Sequence, residues 1–253
     1  MAIERKELIT YLDRLLQADQ FKDYAPNGLQ VEGAPTIQRL VAGVTASQAL
    51  IDQAIAYEAD ALLVHHGYFW RNEAYPLVGI KKQRIKSLIE HDINLIAYHL
   101  PLDCHPVLGN NAQLGKLMGW VSDGHMQSSG TTGLGLCATL ETPVTGTKMQ
   151  QYLSNALGRE ALHIDSPTKS IKRIGWCTGG AQGMIEKAVE LGLDAYVSGE
   201  ISESTVHVAR ENRVHYFAAG HHATERYGAK ALAAHLQQDL GLDCEFVDIP
   251  SPA

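Results

Sequence analysis

The feature that most constrains the fold of this chain is a short apolar segment that ends in two histidines and a glycine. It covers residues 61–67, with His65 and His66 directly before Gly67. Four consecutive apolar residues after a helix-like stretch are typical of a buried strand in a parallel sheet, and the glycine ends that strand. The histidines therefore lie at the carboxyl end of the strand, where open α/β sheets place their ligand sites.

Histidines in this position are candidate metal ligands, because neutral imidazole is the commonest metal ligand in proteins. Successive residues of a strand point to opposite faces, so we do not expect His65 and His66 to chelate one ion easily. They are better placed to serve two ions side by side. The alternative is a pair of histidines that only closes the strand through hydrogen bonds, since clustered histidines do not by themselves prove a site.

The second half of the chain repeats the plan of the first. The segment from Asp60 to His66 aligns with the segment from Asp194 to Glu200, so that the two aspartates coincide and His66 matches Glu200. The pattern predicts a mixed α/β fold of two similar lobes rather than one sheet. We place the lobes at residues 1–125 and 126–253, with the C-terminal helix and strand able to pack back on the first.

A stretch rich in glycine and serine, residues 122–132, has no hydrophobic periodicity and is the candidate linker between the lobes. With 45% hydrophobic residues, the chain can bury one large or two small cores. The net charge of -7 argues against a nucleic-acid partner, which requires a basic surface.

The four cysteines form no C-x-x-C pair, so the sequence indicates neither a disulfide framework nor a zinc knuckle. Unpaired thiols fit a reducing compartment. The N-terminus has no apolar signal region, and no stretch approaches the roughly 18 apolar residues of a membrane span. We therefore expect a cytoplasmic protein without a membrane partner.

Polar residues also follow a second pair of predicted strands. Asp103 comes after the strand at residues 93–98, and His221 and Glu225 come after the strand at residues 214–219. His221 and Glu225 are four residues apart at the start of a predicted helix, so they share one face of it. A surface pair is the simpler explanation for these two residues alone.

If the lobes face each other, three imidazoles and two carboxylates converge from the ends of three strands. This is a reasonable ligand set for two divalent ions about 3.5–4 Å apart. Nitrogen and oxygen ligands without a thiolate suit Zn, Mn, Fe, Co or Ni and do not choose among them. The five candidate ligands are His65, His66, Asp103, His221 and Glu225.

Five ordered motifs carry a resemblance to a known family over essentially the full length. They are His-His-Gly at residues 65–67, Tyr-His-Leu-Pro-Leu-Asp at 98–103, Gly-Gly-Ala at 179–181, Val-Ser-Gly-Glu at 197–200 and Gly-His-His-Ala-Thr-Glu at 220–225. The chain resembles the Nif-three-like family, whose members are called GTP cyclohydrolase 1 type 2 homologues. The segment at residues 134–168 is too short to hold the extra domain that longer relatives insert.

The resemblance implies two intertwined three-layer α/β/α lobes that arose by duplication, with a dinuclear metal site between them. It implies the same five metal ligands, with Glu225 bridging the two ions, and a ring of six subunits. A GTP cyclohydrolase adds water to C8 of the purine, opens the imidazole ring and releases formate. Metal-activated water is a suitable nucleophile for such a reaction.

Five further residues are candidates for catalysis or substrate binding. His99 is a candidate general acid or base, or a residue that orients Asp103 or a ligand histidine. Glu200 could serve either purpose, or only accept a backbone hydrogen bond. Gly179, Gly180 and Gly183 lie between a strand and a helix, where amides could hold a phosphate. A tight turn that needs positive φ explains these glycines equally well.

Two classes of function follow from these residues. The first is a dinuclear metal-dependent hydrolase that acts on a nucleotide or another small phosphorylated or cyclic amide substrate, with a dinuclear phosphoesterase as a variant. The second is a metal-binding, ring-forming regulatory or scaffold protein without turnover.

Overall fold

The computed structural model describes residues 1–127, 134–166 and 170–253. The strands within these residues are Ile3–Glu4 (β1), Gly28–Val31 (β2), Thr36–Ile37 (β3), Arg39–Thr45 (β4), Ala61–His66 (β5), Asn94–Ala97 (β6), Gly124–His125 (β7), Leu136–Val144 (β8), Leu162–Ile164 (β9), Ile171–Trp176 (β10), Ala195–Ser198 (β11), His215–Ala218 (β12) and Asp243–Phe246 (β13). The α-helices are Arg5–Leu16 (α1), Gln48–Ala56 (α2), Gly79–Glu90 (α3), Leu100–Cys104 (α4), Asn110–Met118 (α5), Gly146–Leu157 (α6), Ile185–Glu190 (α7), Glu203–Asn212 (α8) and His221–Leu240 (α9).

The chain divides into two compact units. The first contains residues 1–102 and 228–249, and the second contains residues 103–227 and 250–253. The boundary differs from the one predicted at residues 125 and 126, because residues 103–125 belong to the second unit. Strand β7 within them pairs with β8 of the second sheet. Strand β13 pairs in parallel with β4 of the first sheet, where the prediction allowed the C-terminal segment to pack.

The first unit is built on a five-stranded sheet with the order β13-β4-β5-β6-β2. The first four strands in this order are parallel, and β2 is antiparallel to β6. Helices α2 and α3 share one apolar cluster with the central strands, including Leu50, Ile85, Leu62 and Leu95. Strand β5 is buried along its apolar part, as expected for a central parallel strand. The Ser47 side chain caps α2 by accepting a hydrogen bond from the amide of Leu50.

The second unit is built on a six-stranded sheet with the order β7-β8-β10-β11-β12-β9. Strands β10, β11 and β12 are parallel, and the flanking strands β8 and β9 are antiparallel to their neighbours. One apolar cluster joins α5 and α6 to this sheet and contains Trp120 and Trp176, whose rings are tilted by 50° with centroids 5.0 Å apart. A second cluster includes Ile185 and Ala188 of α7 and Ala209 of α8.

Asp60 and Asp194 make the same set of hydrogen bonds in their respective sheets. Oδ2 of Asp60 accepts from the amides of residues 38 and 39, at 2.8 and 2.9 Å. Oδ2 of Asp194 accepts from the amides of residues 172 and 173, at 3.0 and 2.9 Å. Asp60 precedes β5 and holds the start of β4, and Asp194 precedes β11 and holds the start of β10 in the same way. The sequence alignment of these two residues corresponds to a shared local structure.

The differences between the predicted and observed elements fall mainly at the sheet edges. The sequence did not predict the short strands β2, β7 and β9, because two to four residues carry too little periodicity. The helix expected after the glycines at residues 179–183 begins as a 3₁₀ turn at Gln182–Met184 and continues as α7. Residues 124–125 of the predicted linker form β7, and residues 128–132 lie outside the described residues. In the part of the chain that the structure describes, no helix is both long and apolar enough to cross a lipid bilayer.

Candidate metal centre

The first unit brings three histidines together at the carboxyl end of its parallel sheet. His65 and His66 end β5, and His99 follows β6. One ring nitrogen of each of the three lies within 4.8 Å of the others. The sequence placed His65 and His66 on opposite faces, but their ring centroids are 4.5 Å apart. Alternation along β5 does not keep the rings apart, because imidazole side chains at a strand end are long enough to meet.

The Nδ1 atom of each of these histidines is held by an oxygen atom. Nδ1 of His65 lies 3.0 Å from the carbonyl oxygen of Tyr98, and Nδ1 of His66 lies 3.2 Å from Oγ1 of Thr45. Nδ1 of His99 lies 2.9 Å from Oδ1 of Asp23. A carbonyl and a carboxylate only accept hydrogen bonds, so Nδ1 carries the hydrogen in His65 and His99. Nε2 is then the nitrogen that can bind a metal or exchange a proton.

Asp23 is a functional candidate that the sequence did not single out. Its carboxylate accepts a hydrogen bond from His99 through Oδ1 and from Asn27 and the Leu100 amide through Oδ2. Burial alone would raise the pKa of Asp23, but the hydrogen bond and charge of His99 and the two other donors lower it to about 2. Asp23 and Asn27 lie in the loop after α1, where no local sequence pattern marks a site.

Two aromatic rings border the same histidines. The ring centroids of Tyr24 and Trp70 each lie 5.0 Å from that of His99, and both make edge contacts with it. Trp70 also lies 5.9 Å from His66. Its neighbour Tyr68 is buried and donates a hydrogen bond to the carbonyl of Ala46. Trp70 therefore lines the histidine cluster, while Tyr68 belongs to the apolar core.

The second unit brings together two carboxylates and one histidine. Nε2 of His221 lies 3.0 Å from Oε2 of Glu225, one turn further along α9. A carboxylate oxygen of Asp103 lies within 4.8 Å of one of Glu225. Asp103 is 5% exposed and Glu225 is 3% exposed. Two buried carboxylates so close together repel each other, and a bound cation relieves that repulsion.

His221 is positioned by Glu200, which follows β11. Oε1 of Glu200 lies 2.7 Å from Nδ1 of His221, so the carboxylate fixes the ring and leaves Nε2 facing Glu225. Hydrogen bonding to Glu225 raises the pKa of His221, burial lowers it, and the charges of Glu225 and Glu200 bring it to about 9. Glu200 thus supports a candidate ligand, as carboxylates commonly do for metal-binding histidines.

Asp103 is held in place by neighbours of its own unit. Its Oδ1 accepts hydrogen bonds from Nδ2 of Asn110 at 2.9 Å and from Oγ1 of Thr178 at 3.4 Å. Its backbone carbonyl accepts a third from Nδ2 of Asn111. These supporting residues were not predicted, and the pair of asparagines at the start of α5 is their only local signal in the sequence.

The predicted phosphate turn is tied closely to Glu225. Gly179 has φ +68°, and a Cβ there would lie 1.8 Å from Oε1 of Glu225. Its amide donates to Oγ1 of Thr224 at 3.0 Å. A Cβ on Gly180 would make only van der Waals contacts, the nearest at 3.6 Å, and a Cβ on Gly183 would meet nothing within 4 Å. The structure therefore explains Gly179 by its turn and by the close approach of Glu225.

Comparisons with known proteins find similarity over nearly the whole chain. A family model described as Duf34/NIF3 (NGG1p interacting factor 3) matches residues 3–252. The chain is similar to a protein of Yersinia pestis named GTP cyclohydrolase 1 type 2 homolog, with 53% identity over 98% of each chain. A protein of the same name from Pseudomonas aeruginosa is 49% identical over the full length of both.

Solved structures show the same fold. The chain superposes on a protein called ybgI, described as of unknown function, with a TM-score of 0.95 and 46% identity, covering 99% of this chain and 100% of that one. A protein of Thermus thermophilus gives a TM-score of 0.86 at 33% identity, with coverage of 99% and 100%.

Proposed function

Since this chain belongs to the Duf34/NIF3 family, we propose that it is a dinuclear metal-dependent hydrolase of the GTP cyclohydrolase 1 type 2 kind. Its substrate is a nucleotide or a related small molecule. The proposal includes the finer architecture that the family resemblance implies. In that architecture, two similar lobes arose by duplication, and the histidine cluster of one and the carboxylate cluster of the other form a single centre.

The observation that carries the proposal is the hydrogen bonding of the histidine rings through Nδ1. His65, His66 and His221 each have Nδ1 against an oxygen atom, which directs Nε2 away from that contact. Metal-binding histidines usually have this second hydrogen bond, which fixes the ring and its tautomer. Together with two buried carboxylates, these rings have the donor chemistry that a pair of divalent ions requires.

The proposed ligands are the five residues expected from the sequence, with Glu225 as the bridging carboxylate. The ions are divalent transition metals of the series Zn, Mn, Fe, Co or Ni. When bound, they supply a water molecule that is activated at neutral pH and a charge that polarises the substrate. The proposed ligand list is His65, His66, Asp103, His221 and Glu225.

His99 is the proposed group that moves a proton. Asp23 holds its Nδ1, as an acidic residue commonly holds a catalytic imidazole, so that Nε2 can accept a proton and return it. The edge contacts of Tyr24 and Trp70 restrict the ring further and limit water around it. Glu200 acts through His221 and is a positioning residue.

Substrate phosphates are proposed to lie against the turn at residues 179–183. The amide of Gly179 already donates to Thr224, so Gly180 and Gly183 are the better-placed donors of the three glycines. Neither glycine carries a side chain that would keep a phosphate away. Gly179 contributes by allowing the turn to approach Glu225.

The test is turnover by metal-loaded protein against GTP, other nucleotides, phosphodiesters and cyclic amides, following formate, phosphate and ring-opened products. Glu225→Gln keeps the size of the side chain but removes its charge, so turnover should fall by at least about a hundredfold while the fold is retained. Metal content is measured in parallel, and the five proposed ligands should account for two ions per chain in the wild type. Chelation should lower the melting temperature.

The possible outcomes separate the alternatives. Formate release from GTP alone supports the cyclohydrolase activity, and cleavage of a phosphodiester supports the phosphoesterase. If wild type and Glu225→Gln show the same background with every substrate, the hydrolase proposal is wrong. A non-catalytic, metal-binding scaffold then takes its place.

We also propose that the chain assembles into a ring of six subunits, as the family resemblance implies. Closed rings are a common solution for homo-oligomers. Light scattering at micromolar concentration should give the mass of a hexamer, and a monomer mass would reject the ring.

A further inference from the structure

A second group of metal-binding side chains lies in the second unit, apart from the residues assigned above. It consists of His163 on β9, Asp165 just after it, and His215 at the start of β12. Nε2 of His163 is 3.0 Å from Nδ1 of His215. Oδ1 of Asp165 is 3.4 Å from the same Nδ1 and 3.8 Å from Nε2 of His163.

Strand geometry brings these three residues to one face of the sheet. Residues two apart on a strand share a face, which aligns His163 with Asp165. Strands β9 and β12 are antiparallel, with His163 opposite Phe217. Continuing that register by two residues sets His215 opposite Asp165. The ring of His163 stacks on Phe217, with centroids 4.5 Å apart and planes 11° from parallel, so its orientation is fixed.

The separations match those of atoms that share a tetrahedral ion. Zinc binds nitrogen and oxygen at about 2.0–2.2 Å, which puts neighbouring ligands about 3.3–3.5 Å apart in a tetrahedron. The three observed distances of 3.0, 3.4 and 3.8 Å lie around this value. Three protein ligands also leave the fourth position for water, a common arrangement at zinc sites.

The space beside the two nitrogen atoms is kept open by a glycine. A Cβ on Gly146 would lie 2.7 Å from Nε2 of His163 and 2.7 Å from Nδ1 of His215. Both imidazoles are nearly buried, whereas the side chain of Asp165 is 66% exposed. An ion can therefore reach the buried nitrogens from the side of the carboxylate.

A backbone amide fixes the tautomer of His215. The amide of Ser166 donates to Nδ1 of His215 at 3.2 Å, so this nitrogen presents a lone pair. A ring nitrogen with a lone pair is the atom through which an imidazole binds a metal.

We propose that His163, Asp165 and His215 form a mononuclear zinc site that fastens the edge strand β9 to β12. In the metal-free protein, Nε2–H of His163 can donate to Nδ1 of His215. Zinc takes the place of that hydrogen at Nε2, and the hydrogen moves to Nδ1 of the same neutral ring, so binding changes the tautomer of His163 and releases no net proton. Because the Ser166 amide competes for the same lone pair, this site is weaker than the centre assigned above.

The test is the binding of zinc to the full chain. Equilibrium dialysis measures the number of ions bound and their affinity, and anomalous diffraction at the zinc absorption edge locates them. Asp165→Ala is the main variant, since its exposed side chain contributes little to folding. Loss of a supporting hydrogen bond to a ligand costs 10- to 100-fold in affinity. Loss of the ligand itself should weaken this site by at least about a hundredfold, and the variant should bind one equivalent less than wild type.

Two further variants complete the experiment. His163→Gln should lose the same equivalent, and His207→Gln, a change at an exposed histidine on α8, should bind as wild type does. An anomalous peak among the three side chains supports the site. The proposal is wrong if zinc-soaked crystals show no peak there, or if Asp165→Ala binds as many zinc ions as wild type with equal affinity.

Discussion

Nδ1 of His99 lies 2.9 Å from Oδ1 of Asp23, and this contact ties the loop after α1 to the end of the parallel sheet. The same carboxylate holds the Leu100 amide, the first residue of α4. One buried acid therefore fixes both the imidazole proposed to move a proton and the start of the helix that carries Asp103.

Replacing Asp23 by asparagine should impair catalysis without emptying the metal centre. The neutral amide no longer fixes the tautomer of His99, and such supporting contacts are worth about 10- to 100-fold. We expect turnover to fall by that factor while the metal content stays at the wild-type level. Asp19→Asn, a change at an exposed acid in the same region, serves as the control. Equal turnover in both variants would contradict the role of Asp23.

The low pKa of Asp23 also makes a prediction for stability. Its pKa falls from 3.8 to about 2 on folding, so the folded state favours the ionised form. The contribution to stability is complete above pH 3.8 and is lost as the pH falls toward about 2. The melting temperature of wild type should exceed that of Asp23→Asn at neutral pH, and the gap should close in acid. A gap that stays constant on acidification would refute this account.

Metal binding should become tighter as the pH rises. The pKa of His221 in the metal-free protein is raised from 6.5 to about 9, so the ring is protonated at neutral pH. A metal must displace that proton, and the apparent affinity should increase about tenfold per pH unit until about pH 9. The raised pKa stabilises the metal-free fold fully below pH 6.5, and this contribution is lost through about pH 9.

Glu200→Gln provides the comparison for this pH effect. The variant removes a charge and a hydrogen bond that both raise the pKa of His221. Calorimetry in buffers of different ionisation enthalpy should therefore show fewer protons released at neutral pH than in wild type. Equal proton release would mean that another group is the source.

Gly179 should tolerate no side chain. An alanine there adopts positive φ and brings its Cβ against Oε1 of Glu225. Strained residues of this kind cost about 1–3 kcal/mol, so the free energy of unfolding should fall by that amount in Gly179→Ala. Metal content should also drop, because Glu225 must move. Gly183→Ala, where a Cβ meets nothing within 4 Å, should match wild type in urea denaturation.

Asp60 and Asp194 should contribute equally to stability. Each accepts two backbone hydrogen bonds at the start of a neighbouring strand. Hydrogen bonds to charged groups are worth about 1.5–3 kcal/mol, so Asp60→Ala and Asp194→Ala should each lower the free energy of unfolding by roughly that amount. Because the two aspartates accept from amides of different sheets, the double variant should show the sum of both effects. A clearly unequal pair of effects would contradict the equivalence.

The sequence predicted the parts of the fold that have strong local signals. The buried strand β5 combines an apolar run with a boundary glycine, and the strands predicted at residues 93–98 and 214–219 contain β6 and β12. The edge strands escaped prediction because antiparallel pairing at a sheet edge is decided by distant partners. Strand β9, with three residues, is recognisable only from its pairing with β12.

The candidate metal centre could be predicted only in part. His65, His66, His221 and Glu225 are visible because they stand where apolar strands end. Asp23 and Thr45, which orient two of the histidines, lie 76 and 21 residues away from them in sequence. Nothing in the local pattern of either residue indicates a partner at that distance, so the supporting contacts emerged only from the structure.

The first unit is interrupted in sequence by the second, and this has a consequence for biosynthesis. Strand β4 pairs with β13, which follows it only after the whole of residues 103–227 has been synthesised. A chain emerging from the ribosome therefore exposes one edge of β4 while the second sheet already has all its strands. Exposed strand edges invite pairing with other chains, so nascent protein truncated before β13 should be a preferred client of chaperones that bind unpaired strands.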